Sequence, residues 1–467
     1  MTEDYSVLRI AYGAWFRQVA LRHAPFVFLV VVGVLLVGCG GQTAVTPMPV
    51  ATIPILPDNQ TNPALAPTRA DALERPYSYT YQQPDGNRLV IGAGNLPNQT
   101  PLDIVLEGTP IWVTGVPLAQ GVLWGVVLQD GRTQAFLVDA GQSTPITSNP
   151  LTPATAPVMT VDPQQGVALF LNPPSADPTG SNPVLYNAAG HIAYSNPAGA
   201  LSLVDGGQPF SQPPVTLLPD ARILFDENGR LLFLTDPTDR YAHGVLGDAI
   251  EAGSVTLLQT SPAVQVLTTI PITAPQVIEG IMPLWTDWNG DGVREIVVTV
   301  SDAAQGAQIV LFGEDGARLA QGPAVGAGNR WRHQIALAPF GPAGEMELAA
   351  VLTPHLGGVV EFYQWQGEAL TVVAQLPGYS SHQIGSRNLD MAMAGDFNGD
   401  GRLELLLPTQ DMNRLGGIQR TVDGAEVAYE VAIDGALATN LAGVTMSTGQ
   451  TAVALGRTDN TLRIWQP

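Results

Sequence analysis

Two short segments carry most of the chemistry visible in this 467-residue chain. Asp287, Asn289, Asp291 and Glu295 fall within nine residues, and Asp396, Asn398, Asp400 and Glu404 repeat the same spacing. Each segment offers three carboxylates and one amide oxygen, hard donors of the kind and number that suit Ca²⁺. Gly290 and Gly292, matched by Gly399 and Gly401, let the backbone wrap closely around an ion. Without a cation the three carboxylates repel one another, and Ca²⁺ would bring each loop's formal charge from −3 to −1. The bland alternative is a solvated acidic turn that binds nothing. Two copies in register weigh against it.

Each acidic loop runs into an apolar strand, Ile296–Val298 or Leu405–Leu407. The two lie 109 residues apart (287 to 396), and a worn copy, Pro339 to Ala350, sits between them at spacings of 52 and 57. The worn copy keeps the glycine, the final glutamate (Glu347) and the apolar strand. A fainter one begins at Leu224 with Asp226, Asn228 and Gly229. Short apolar runs separated by turn dipeptides fill the rest, as in Leu123–Leu128, a turn through Asp130-Gly131, then Ala135–Val138. No sustained 3.6-residue apolar period appears after residue 76. A fixed period near 55 with strands alone means repetition around a ring or along a line. The 391 residues from 77 to 467 hold about seven such units. The expectation is an all-β, seven-bladed β-propeller with units starting near 115, 157, 217, 279, 330, 389 and 436. The last unit is one strand short, and a strand from residues 77–110 is expected to complete it and close the ring.

The arrangement D-x-N-x-D-G-x-x-E before an apolar strand resembles the FG-GAP and VCBS repeats of integrin α-chain propellers and many secreted bacterial proteins. The resemblance covers about 12 residues in each copy. It implies that these loops bind Ca²⁺ in propeller blades. By analogy with the EF-hand, the backbone carbonyls of Val293 and Arg402 would complete the two ligand sets. A true EF-hand does not fit, because Val298 and Leu407 stand where its last glutamate would be and a strand follows instead of a helix.

Composition closes off other functions. Acidic residues outnumber basic ones 41 to 20, a net charge of −21, which repels nucleic acid. All 20 basic residues are arginine, so lysine-dependent Schiff-base and P-loop chemistry is excluded. His23, His191, His243, His333, His355 and His382 show no close metal-ligand spacing, and His333 reads as blade-edge packing. Trp285 and Trp288 flank the first acidic loop and read as inter-blade packing rather than a sugar platform. No nucleophile elbow or cofactor fingerprint appears, so a non-catalytic module is expected.

The N-terminus reads as an export signal. Arg9, Arg17 and Arg22 precede an apolar run from Phe26 to Gly38, 13 residues, too short for a comfortable membrane span. Leu36-Val37-Gly38-Cys39 then resembles the lipobox of bacterial lipoproteins, in which the chain is cut before an acylated cysteine; Cys39 is the only cysteine. The long n-region with Glu3 and Asp4 departs from the usual form. The expected organisation is a signal peptide over 1–38, a lipid-anchored Pro/Thr-rich linker over 39–76 and a propeller over 77–467. The protein is expected on the outer face of a bacterial membrane, as a calcium-stabilised binding or scaffold module for a protein or polysaccharide. The alternatives are a polysaccharide lyase or hydrolase working in the channel, and an assembly factor for a membrane complex. Cys39→Ser should move the protein from the membrane fraction to a soluble or unprocessed form; unchanged processing and fractionation would contradict the lipid anchor.

Overall fold

Turn residues cut the chain into strands that alternate direction and pair with their sequence neighbours. The structure, a computed structural model, describes residues 77–467 apart from 82–83, 152–154, 163–164, 173–182, 188 and 197–198. The expected signal peptide and linker, Cys39 included, lie outside the described residues. Among the described residues there is no α-helix, only a 3₁₀ turn at Leu96–Asn98. The fold is an all-β propeller.

Among the described residues seven four-stranded antiparallel units follow one another, some joined edge to edge into larger sheets. The first is Pro110–Pro117, Val122–Leu128, Thr133–Asp139 and Gln142–Ser148. The second spans Val184–Leu185 to Gln208–Ser211, and the third Leu224–Phe225 to Gln265–Pro271. The fourth spans Leu284–Thr286 to Arg318–Gln321, the fifth Arg332–Ala338 to Ala369–Pro377, and the sixth Met393–Asp396 to Gly424–Ala432. The seventh has Leu437–Thr445, Thr451–Arg457 and Thr461–Trp465. Its fourth strand comes from far upstream: Leu102–Val105 pairs antiparallel with Thr461–Trp465. The closing strand is therefore where the sequence placed it. One feature differs from the expected order. The block beginning near 157 opens with three strands, Tyr77–Tyr79, Val158–Asp162 and Val167–Phe170, the last of which pairs in parallel with Gln142–Ser148 of the first blade; the second four-stranded sheet begins only at Val184, not near 157.

Burial sets the direction of each blade. First strands are buried, as in Arg332–Ala338, while fourth strands such as Gln142–Ser148 are largely exposed. The first strands thus line the centre, and apolar side chains fill the gaps between blades. Trp124, Trp285 and Trp465 are fully buried there. Gly131 has φ +82°, which its tight turn requires and side chains disfavour.

The segment before the first blade crosses the centre of the ring. The Pro84 carbonyl accepts from Phe225 N in the third blade, and the Asp85 carbonyl from Trp285 N in the fourth. Asn87 makes two bonds with Leu337 in the fifth, and the Arg88 carbonyl accepts from Ala394 N in the sixth. Leu89–Ala93 then runs parallel to Met393–Asp396, and Ala93 N donates to the Gly449 carbonyl in the seventh.

The seventh and first blades are joined by a side chain. Asn440 accepts from Val113 N at 2.9 Å and donates to the Val113 carbonyl at 2.8 Å, in a fully buried setting. Asn440→Ala would orphan both backbone groups. It should lower unfolding free energy by about 2–4 kcal/mol in chemical denaturation, whereas exposed Asn95→Ala should fall within about 0.5 kcal/mol of the parent. Equal effects would contradict the bridge.

Candidate metal centre and the opposite face

Antiparallel blades have two ends. Turns joining strands one to two and three to four lie at one end; turns joining two to three, and the crossovers between blades, lie at the other. Both acidic loops join first and second strands, so they share an end. So do the worn turn at 339–346 and the short turn at 226–230.

In the second loop, Asp396 accepts from Gly399 N at 2.7 Å and Gly401 N at 3.0 Å, and Asn398 Oδ1 accepts from Asp400 N at 2.7 Å. Glu404 begins the next strand, is fully buried, and accepts from Phe397 N at 2.8 Å. Oxygens of Asp396, Asp400 and Glu404 lie within 4.8 Å of one another, the one such carboxylate or histidine group among the described residues. Burial pushes Glu404 up to about 8, and the charges of Asp400 and Asp396 push the same way. The Tyr429 hydroxyl is buried without a hydrogen-bond partner, and the charges of Glu404, Asp396 and Asp400 act on it. Gly417 makes room for that ring, since a Cβ there would lie 2.4 Å from it. Converging anions and an orphaned hydroxyl fit a bound cation with its water. The first loop has the same backbone wrapping: Gly290 N and Gly292 N donate to Asp287 at 2.7 and 2.8 Å, and Trp288 N to Glu295 at 2.7 Å. Burial raises Glu295 too. Its carboxylates do not converge as closely, because Asn289 Nδ2 sits between Asp291 and Glu295, donating to each at 3.1 Å. Val293 and Arg402 use their amides, donating to Asp291 and Asp400 at 2.8 Å. Trp285, Trp288 and Phe397 are buried, in agreement with their reading as packing residues.

In the worn copy an arginine neutralises the acid. Glu347 occupies the place of Glu295 and Glu404, and Arg420 from the next blade pairs with it at 2.8 Å. Gln364 donates to it at 3.0 Å, as Gln419 donates to Glu404 at 3.2 Å. In the faint copy the charges reverse: Arg230 pairs with Asp226 at 2.7 Å and with Glu314 of the next blade at 2.6 Å.

The other end holds a group that sequence reading did not single out. Glu279 is fully buried and bonds His243 Nδ1 and Ser301 Oγ. Glu251 accepts from Gly280 N at 3.3 Å. Arg387 ties Asp220 at 3.1 Å to Asp248 at 3.0 Å. Burial pushes Asp220 up to about 6 despite that arginine. Deeper in, Asp390 is gripped by Arg88 at 2.9 Å and Arg222 at 2.6 Å. His355, His382 and Trp331 lie at the same end; Trp331 stacks on His333 with centroids 4.8 Å apart. His333 is buried, as its packing reading expected. These residues come from turns and crossovers spread over 220–390 with no shared spacing, so only the ring assembles them. Leu356 and Ile384, 79% and 74% exposed, sit on the same loops.

Geometry thus defines a closed β-propeller with a candidate cation loop at one end and a polar cluster at the other. No protein-family model matches the chain, and no curated protein matches it. Among solved structures it is similar to the crystal structure of the WD40 β-propeller domain of Doa1, at 9% identity and a TM-score of 0.36, covering 84% of this chain and 97% of that one. At that level the propeller assignment rests on the strand pairing and ring closure described above.

Burial, with the charge of Glu279 adding, holds Glu251 protonated up to about 9, against 4.5 for a free glutamate. The folded state therefore keeps a proton that the unfolded chain has lost, and stability falls as pH rises through that window. Glu251→Gln cannot ionise. Its stability relative to the parent should rise by ~1 kcal/mol per pH unit between roughly pH 5 and 8. A difference independent of pH would contradict a neutral Glu251.

Proposed function

We propose that this chain is a calcium-stabilised binding module, held at the outer face of a bacterial membrane by lipid on Cys39, that meets a protein partner through the crossover end of its propeller. The observation that carries the calcium reading is the convergence of Asp396, Asp400 and Glu404 within 4.8 Å beside the orphaned Tyr429 hydroxyl. Asn398, with the carbonyl of Arg402, would complete the set, and Asp287, Asn289, Asp291, Val293 and Glu295 would form a second, weaker one. This ligand set supports placing the loops with the FG-GAP and VCBS repeats they resemble. The ion's role is structural, since each loop pins the turn between two inner strands.

A protein partner is favoured over a glycan by what the surface offers. Sugars stack on exposed aromatic rings, and Phe210 is the one exposed aromatic among the described residues. The crossover end instead exposes Leu356, Ile384 and Ile250 on loops that also carry charged groups, the mix of apolar and polar surface a protein interface uses. A catalytic channel is disfavoured because the chain's own residues 84–93 bond to the inner strands.

Calorimetry on the purified full-length chain should detect calcium with a Kd on the order of 10⁻⁴ to 10⁻³ M. At tenfold excess over Kd, one site adds ~1.4 kcal/mol of stability. Asp396→Asn should lower the melting temperature in calcium and have less effect in chelator, because the charge it removes is repulsive in the empty loop. No calcium uptake, with melting unchanged by chelator, would contradict the reading. For the partner face, Leu356→Asp with Ile384→Asp should abolish a crosslinked complex recovered from membranes without changing the melting temperature. An undiminished complex would move the interface elsewhere.

A further inference from the structure

We propose that Gly94 and Leu96 are positioning residues for the second acidic loop, a clasp from a remote stretch of chain that calcium and the loop hold shut together. The inference rests on the calcium reading of that loop given above. Gly94 N donates to the Asp396 carbonyl at 2.6 Å, and Leu96 N donates to the Phe397 carbonyl at 2.8 Å. The same two loop residues face the ligand cluster on their other side. The Asp396 carboxylate is one of the three that converge within 4.8 Å. Phe397 N donates to Glu404, another of the three, at 2.8 Å. The stretch that carries the ligands is therefore held from outside by the clasp and from inside by the acids. The approach is close: a Cβ on Gly94 would collide with the Phe397 carbonyl oxygen, and one on Gly399 with the Gly94 carbonyl oxygen. Only two glycines let the backbones meet this way. Leu96 anchors the clasp, buried in one apolar cluster with Phe397 and Trp465.

The first loop has no such clasp. Its Asp287 and Trp288 carbonyls accept no backbone bond from a remote segment among the described residues. Both loops carry the same ligand types at the same spacing, yet the clasped one is where the carboxylates converge. Three carboxylates at that distance repel one another without an ion, so the empty loop relaxes and takes the Asp396 and Phe397 carbonyls with it. An ion that binds only the wrapped loop favours the docked clasp, and the docked clasp favours the ion by the same factor. The closing strand Leu102–Val105 keeps its own ladder with Thr461–Trp465, and Asp103 keeps Arg463 at 2.7 Å, so the ring stays closed when the clasp opens.

The test is calcium titrated into the purified full-length chain, followed by calorimetry and by hydrogen exchange of a peptide covering Gly94–Gln99. In the parent, calcium at tenfold excess over Kd should slow that exchange severalfold, up to the roughly tenfold limit of linkage, beyond any change at Leu102–Val105. Asp396→Asn should lose this dependence, and Asp287→Asn should keep it. Gly94→Ala should weaken calcium at the second loop by about fivefold or more. It should also lower the melting temperature more in calcium than in chelator, whereas a merely structural glycine would lower both alike. Asn95→Ala, exposed in the same turn, should leave calcium affinity within about twofold of the parent. If Gly94→Ala does not fold, the exchange of the parent and of Asp396→Asn decides. Calcium uptake with unchanged exchange at Gly94–Gln99, or full affinity in Gly94→Ala, would overturn the clasp and leave the calcium reading standing. No calcium uptake by the parent would overturn both.

Discussion

Everything in this fold depends on the segment from Tyr77 to Val105, which serves the ring twice. Its first half adds a strand at Tyr77–Tyr79 and then bonds in turn to the inner strands of the third to seventh blades. Its second half, Leu102–Val105, is the outer strand of the seventh blade. A ring of sheets opens wherever one neighbour is missing, and closing it with a strand from the opposite end of the described chain makes the last blade depend on the first. Asn440 and Gln466 reinforce the joint: Gln466 links Trp124 and the Val138 carbonyl across it. Side chains thus bridge the seam that sheet hydrogen bonds cannot cross.

Charge does related work between blades. With no lysine, cross-blade pairing falls to arginine, whose planar fork fixes two carboxylates at once. Arg387 spans Asp220 and Asp248, and Arg230 spans Asp226 and Glu314. The same position, just after the residue opposite the loop's final acid, holds Glu314, Trp365 and Arg420 in successive blades. Glu314 meets Arg230, Trp365 meets Trp288 with centroids 6.1 Å apart, and Arg420 meets Glu347. Arg420 thus neutralises Glu347 of the worn copy, whereas Trp365 packs on Trp288 and brings Glu295 no countercharge.

The repeat, the turn dipeptides and the incomplete last unit made the propeller, its blade starts other than the second and its closing strand legible in the sequence. The acidic loops were legible too, because their carboxylates are contiguous. The path of residues 84–93 was hidden: Pro84, Asp85 and Asn87 bond through backbone groups or a single amide, and neither leaves a pattern in residue type. The short sheet at Val158–Phe170 was hidden because its third strand is remote in sequence. The cluster of His243, Glu251, Glu279, His355 and His382 was hidden for a related reason. Its members come one or two per turn from several blades, and only ring geometry makes them neighbours.

The central claim is that the upstream segment is built into the ring, not laid over it. Amide hydrogen exchange on the full-length chain, read by mass spectrometry peptide by peptide, tests it most directly. Peptides covering Asn87–Ala93 and Leu102–Val105 should exchange as slowly as Met393–Asp396 and Thr461–Trp465, because their amides share the same global opening. Rapid exchange of Leu102–Val105 beside a protected Thr461–Trp465 would mean an open ring, and would contradict the account.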